Sequence, residues 1–296
     1  MQPDCWTICT LFIYFFMIFA ADKKQVSIRF MRVSLFSILL ASIVLFLASC
    51  GGSTSSENDT EVDSTLLSYT VLSVLPHNAE AFTQGLVVHN NKLLESTGQE
   101  GSSWVGEVNP ASGAHDKKII LDDKYFGEGI TVLNNKLYYL TWKTGIGFVY
   151  DATTYEKIRE FEYDPKIKQG WGLTHDGTQL ILSDGTDKIH FLDTTDLKVT
   201  RTITVRDGNM AIKELNELEY INGYVFANVW QTNWIVKVDP KDGRVVGKLD
   251  LSRIGNEIRA QYPTADVLNG IAYDKNSGAI LVTGKLWPKS YLIRIQ

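Results

Sequence analysis

The chain has 296 residues, 44% of them hydrophobic and 21% charged, a globular composition with ample material for a core and neither wholly disordered nor collagen-like. Its 29 basic residues against 34 acidic ones give a net charge of −5, so no basic footprint asks for nucleic acid. The three cysteines, Cys5, Cys9 and Cys50, all lie at the amino-terminal end, which excludes a disulfide framework and thiolate metal ligands from the remainder.

Two apolar stretches open the chain, Trp6 to Ala21 and Val33 to Ala48, and targeting is weighed before fold. The second has the form of a secretory signal: Met31-Arg32 supplies a start and a positive end, Leu35 to Leu47 an apolar run, and Leu47-Ala48-Ser49-Cys50 a small-residue cleavage site. A cysteine straight after such a site resembles the bacterial lipoprotein signal, whose cleavage leaves that cysteine diacylated. A transmembrane anchor is the alternative. Gly51-Gly52 and the polar stretch Ser53 to Ser64 that follow read as a flexible tether and favour the lipoprotein. The expected organisation is a targeting region over 1–49, with the signal at 31–49, a tether over 50–66 and a folded domain over 67–296. A bacterial envelope protein is expected, anchored through Cys50 and facing the periplasm or the exterior. Without residues 1–49 the charges are 25 against 32, a net of −7.

From Phe82 onward one unit is written five times. Each begins with a short motif: Phe-Thr-Gln-Gly-Leu (82–86), Phe-Gly-Glu-Gly-Ile (126–130), Gln-Gly-Trp-Gly-Leu (169–173), Leu-Asn-Glu-Leu (215–218) and Leu-Asn-Gly-Ile (268–271). Anchored on Gln84, Glu128, Trp171, Asn216 and Asn269, the spacings are 44, 43, 45 and 53. A polar turn and a β-rich run follow each anchor, as in Leu137-Tyr138-Tyr139. A third strand comes next (Trp104 to Val108, Phe148 to Tyr150, Ile189 to Leu192, Trp234 to Val238, Leu292 to Ile295). An Asn- or Asp-led turn then leads to a fourth, such as Lys157 to Phe161. Four strands per unit at this period predict an all-β, five-bladed propeller. The fifth unit has no fourth strand after it, and Ser68 to Leu75 can fill that place and close the ring. Ile254 to Asp266 reads as a loop with one helical turn. A β-sandwich is the weaker alternative, since nothing in it repeats at this period.

Radial repetition sets the five anchors round one channel. A second ring lies fourteen residues on, at Gly98, Trp142, Gly185 and Trp230, with Lys285 as the fifth member after a longer turn. One acid, one lysine, three tryptophans and three carboxamides at one mouth suit a small polar ligand with an apolar stem. Single tryptophans are more often core, and Asn at a strand start is commonly a turn former. Glu128 between two glycines is harder to explain structurally, because a buried carboxylate without a task is costly. His77, His89, His115, His175 and His190 show no metal-ligand spacing, and His89, His115 and His175 fall in predicted turns. Ser183-Asp184-Gly185 lacks the Gly-x-Ser-x-Gly form of a nucleophile elbow, and no phosphate-cradling loop opens a helix.

The five motifs, with Leu-Thr-Trp (140–142), Ala-Asn-Val-Trp-Gln-Thr (227–232) and Thr-Gly-Lys-Leu-Trp-Pro (283–288), resemble the plant-type and bacterial glutaminyl-peptide cyclotransferases, the glutaminyl cyclases first associated with papaya. The resemblance runs in order from Ser68 to Ile295, with one departure: Pro76-His77-Asn78 stands where the family often has Pro-His-Asp. It implies a five-bladed propeller that converts amino-terminal glutamine of peptides and proteins to pyroglutamate and releases ammonia, without a metal in the chemistry. No cofactor is then required, although a structural calcium in the channel stays open, and a monomer is expected.

For that reaction the expected roles are these. Glu128 shuttles the proton; Lys285, Asn216 and an indole N–H face the developing oxyanion. Trp142, Trp171, Trp230, Phe82 and Phe126 wall the substrate, and Gln84 and Asn269 orient its amine and first peptide bond. Burial raises the Glu128 pKa and Lys285 lowers it, and the sequence leaves the winner open. A non-catalytic envelope propeller that binds peptide ends or a partner protein is the alternative; it would need no isolated acid. A metal-dependent propeller hydrolase would need several carboxylates on the axis.

Overall fold

The computed structural model describes residues 65–296; the expected signal, Cys50 and all but the end of the tether lie outside them. Five antiparallel sheets follow one another along the chain. Blade one comprises Thr83–His89, Lys92–Thr97, Trp104–Val108 and His115–Ile120; blade two Gly127–Leu133, Lys136–Thr141, Ile146–Asp151 and Lys157–Glu162. Blade three comprises Leu173–His175, Leu180–Ser183, Lys188–Leu192 and Val199–Thr204; blade four Leu215–Ile221, Tyr224–Val229, Trp234–Val238 and Val245–Asp250. Blade five has Leu268–Asp274, Ala279–Gly284 and Lys289–Ile295, and its outer strand is Tyr69–Pro76, antiparallel to Lys289–Ile295. This is the expected five-bladed propeller, closed by an amino-terminal strand.

Local chemistry explains the repeat. Blades one, two and four join their first two strands by two-residue turns with positive φ at both positions (Asn90-Asn91, Asn134-Asn135, Asn222-Gly223). Such turns match the twist of the flanking strands, and Asn and Gly tolerate them best. Before the outer strand an Asx turn recurs: Asp151 Oδ1 accepts from Thr153 N–H at 2.8 Å, Asp193 Oδ1 from Thr195 N–H at 2.7 Å and Asp239 Oδ1 from Lys241 N–H at 2.9 Å. Buried side chains of neighbouring blades interlock between the sheets. Leu133, Tyr138 and Leu140 of blade two, for example, pack with Leu173, Leu180 and Leu182 of blade three.

Three details differ from the sequence expectation. Leu66, assigned to the tether, pairs in parallel with Lys248 on the outer edge of blade four, so the closing segment laces two blades. The insertion before blade five holds a ten-residue helix, Ser252–Gln261, rather than one turn. Ile254 and Ile258, four residues apart, bury one face of it against Leu251 and blade five. A short hairpin, Arg206–Asp207 with Met210–Ala211, precedes blade four.

Candidate active site

The inner strands of four blades share one irregularity. Their pairing shifts register between Thr83 and Gly85, Gly127 and Ile130, Leu215 and Leu218, and Leu268 and Ile271. Such a bulge frees a residue from the ladder and re-aims its side chain; the freed positions include Gln84, Glu128, Asn216 and Asn269. In blade three Trp171 stands just ahead of the short inner strand, its N–H donating to the Ser183 carbonyl at 3.0 Å. The glycines beside Glu128 have a packing cause. A Cβ on Gly127 would lie 2.0 Å from the Tyr139 hydroxyl, and one on Gly129 would lie 2.6 Å from backbone atoms of Trp171 and Leu173 in blade three.

A cavity of about 450 Å³ opens at this end of the channel. Phe82, Gln84, Phe126, Glu128, Trp142, Trp171, Asn216, Trp230 and Lys285 all line it, so the expected acid and lysine share one mouth. The aromatic rings form an arc: Phe82 and Phe126 meet edge-on at 6.3 Å, Phe126 and Trp142 at 5.5 Å, and Trp171 and Trp230 edge-on at 5.6 Å. Asn269 departs from its expected place. It stands behind the wall, where its Nδ2 donates to the Thr83 carbonyl at 3.0 Å and to Gln84 Oε1 at 3.4 Å, holding the strand that carries Gln84.

Glu128 is 4% exposed, and its carboxyl makes no hydrogen bond to the described residues. Burial raises its pKa well above the ordinary carboxylate value, and the opposing pull of Lys285 is the smaller influence. Lys285 is 5% exposed, with Nζ 4.6 Å from the centre of the Phe82 ring. Burial lowers its pKa, against Glu128 and Asp266, which raise it. Backbone bonds in both directions pin its segment: Asp266 N–H to the Lys285 carbonyl and Lys285 N–H to the Val267 carbonyl, each 2.9 Å. The Trp287 indole adds a bond to the Asp266 carbonyl at 2.8 Å. Asn216 Oδ1 is buried without a partner among the described residues.

Sequence reasoning passed over Gln169, Gln231, Asp266 and Val267. The last three line the cavity. Gln169 Oε1 accepts from the indole N–H of both Trp142 (2.8 Å) and Trp171 (2.9 Å), so these two N–H groups are already engaged and cannot face an oxyanion. Its signal was its place in the motif that also holds Trp171. The histidine reading also changes. His89 and His175 end strands and His115 begins one. His77 and His115 converge on Glu95 at the seam of blades one and five, outside the cavity. At the departure from the family pattern, Asn78 makes a turn, its Oδ1 accepting the Glu80 N–H at 2.9 Å.

A sequence profile described as glutamine cyclotransferase matches residues 43–295. A glutaminyl-peptide cyclotransferase of Arabidopsis thaliana is 42% identical over 228 residues, which are 76% of this chain and 71% of that protein. The crystal structure of Myxococcus xanthus glutaminyl cyclase aligns with a TM-score of 0.72 at 30% identity, covering 79% of this chain and 99% of the other.

Proposed function

The chain belongs to the glutamine cyclotransferase family, and on that premise we propose that Glu128 carries the protons of its reaction. The protein is a glutaminyl-peptide cyclotransferase: the α-amine of an amino-terminal glutamine attacks its own γ-carboxamide, and pyroglutamate and ammonia result. The observation that carries the role of Glu128 is a buried carboxyl with no hydrogen-bond partner among the described residues, facing an aromatic cavity that also holds Lys285.

The substrate arrives as an ammonium. Burial raises the Glu128 pKa above the ordinary carboxylate range and so lowers the free-energy cost of taking the proton from the α-ammonium. The neutral amine then adds to the carboxamide carbon, giving a tetrahedral centre with a negative oxygen. The Glu128 carboxylic acid gives its proton to the departing nitrogen and takes one back from the ring nitrogen as the carbonyl re-forms and ammonia leaves. Ammonia then carries the last proton into water, and Glu128 returns to its carboxylate. Lys285 and Asn216 stabilise the oxyanion, Trp230 being the cavity tryptophan whose indole is not given to Gln169. The arc from Phe82 to Trp230 holds the glutamine side chain folded back on its amine, with Gln84 orienting the amine. Glu128→Gln should fold normally and lose about 10²–10⁴ in kcat for ammonia release from a Gln-peptide; near-normal turnover contradicts the assignment.

The same reading covers the amino-terminal region. Residues 1–49 target the chain, and diacylated Cys50 holds the propeller at a bacterial membrane; the Leu47-Ala48-Ser49-Cys50 sequence and the polar tether support this. Cys50→Ser should abolish membrane partitioning, and a variant that still pellets with membranes contradicts it.

A further inference from the structure

The seam between the first and last blades is built unlike the other four. Its buried apolar cluster is Leu86, Ala272 and Leu281, whereas each other seam has a dozen or more such residues. A polar set stands there as well. Glu95, fully buried on the second strand of blade one, accepts from Thr83 Oγ1 at 2.6 Å and from His115 Nε2, and both its oxygens lie 3.1 Å from His77 Nε2. On its other side the His77 ring donates from Nδ1 to the Trp287 carbonyl at 2.6 Å. Its backbone N–H reaches the Pro288 carbonyl at 3.0 Å, and Leu286 N–H reaches the Ala81 carbonyl at 2.8 Å.

Proton accounting fixes the charges. A carbonyl oxygen only accepts, so Nδ1 of His77 carries hydrogen, and Nε2, facing a carboxylate, carries the other. His77 is an imidazolium. Burial alone would push its ring toward the neutral form, but the Glu95 charge and both hydrogen bonds hold its pKa above the ordinary value. Burial likewise pushes Glu95 up, and His77 and His115 outweigh it, holding the carboxyl well below the usual range. A buried pair is tolerable when its donors and acceptors are used, as here. His77, Glu95 and His115 are the one set among the described residues with the makings of a metal site. Their facing atoms are instead spent on one another: the carboxylate takes three donors and both His77 nitrogens bear hydrogen.

We propose that Glu95 and His77 are positioning residues for the cyclisation: their ion pair clamps the Phe82–Gln84 segment of blade one to the Lys285–Trp287 segment of blade five, setting where the Lys285 ammonium stands. Thr83, bonded to Glu95, lies between two cavity residues, and Trp287, bonded to His77, is two residues beyond Lys285. The inference rests on the oxyanion role given to Lys285.

The test is a double-mutant cycle. His77→Gln and Glu95→Gln, each alone and with Lys285→Met, are assayed for ammonia release well below each melting temperature. Each single variant should lose about tenfold in kcat with little change in KM, since small misplacement near the chemistry is costly. In the Lys285→Met background the further loss should shrink below about twofold, while the shifts in melting temperature still add. Singles with wild-type kcat, or an undiminished loss beside Lys285→Met, overturn the proposal. Should Glu95→Gln fail to fold, Thr83→Val removes one hydrogen bond and should give the same pattern at about threefold; full additivity there overturns it too. A Lys285→Met enzyme with full kcat overturns the premise, and that variant alone reveals it. Zinc that raises the melting temperature of the wild type but not of His115→Ala shows a ligand set and overturns the ion pair.

Discussion

Glu128 and Glu217 occupy the same channel on the inner strands of blades two and four, and both are buried, at 4% and 0% exposure. Burial raises both pKa values well above the ordinary one; for Glu217 the neighbouring Glu219 charge adds to the effect. They differ in partners. Glu217 accepts the Ile271 N–H at 2.8 Å and the Leu86 N–H at 3.3 Å, which ties blade four to blades five and one. The Glu128 carboxyl accepts nothing from the described residues and faces a cavity. Burial alone therefore does not distinguish the two acids. An acid filled with backbone donors is a staple between blades, and one left empty at a mouth is free to exchange protons with a substrate.

The comparison can be sharpened from the catalytic side first. Gln169→Leu frees the Trp142 and Trp171 indoles and loosens the wall around the substrate, so kcat/KM for a Gln-peptide should fall about tenfold with Glu128 untouched. Unchanged kinetics would mean that the rings are held by packing alone. On the structural side, Glu217→Gln keeps one acceptor but sets an amide NH₂ against the other backbone N–H. It should cost about 1–3 kcal/mol of stability, read from denaturant unfolding, and leave kcat within about twofold; a large loss of kcat in folded protein would erase the distinction.

The smallest effect is a slope. Burial pushes Glu219 up to about 7 from an ordinary 4.5, so the folded state holds a proton that the unfolded chain releases. The stability from that protonation is complete below pH about 4.5 and is lost as pH rises through about 7. Melting temperature measured across this window should decline less steeply in Glu219→Gln than in the wild type; identical slopes would contradict the shift.

Much of this was legible in the sequence because its causes are local or repeated. The Asn-Asn turns, the Asx-led connections and the recurring anchor motif each act within a few residues, and radial repetition carries Gln84, Glu128, Trp171 and Asn216 to one channel mouth. Other features were hidden because partners distant along the chain define them. Gln169 matters through two indoles on different blades. Glu95 and His115 lie 20 residues apart within blade one, and His77, 18 residues before Glu95, reaches it across the seam from blade five, which no ligand-spacing rule anticipates. Asn269 shares the anchor position but turns its amide on Thr83 and Gln84, a choice made by the closure of the ring. The helix was underestimated because a polar insertion with two isoleucines resembles a loop until the surface that buries them is known.

The most direct measurement is ammonia release from one Gln-peptide by Glu128→Gln and Glu217→Gln side by side, with circular dichroism confirming that both are folded. The account predicts that Glu128→Gln falls at least about 10²-fold in kcat while Glu217→Gln keeps wild-type turnover. Equal losses in the two variants, or turnover retained by Glu128→Gln, would contradict it.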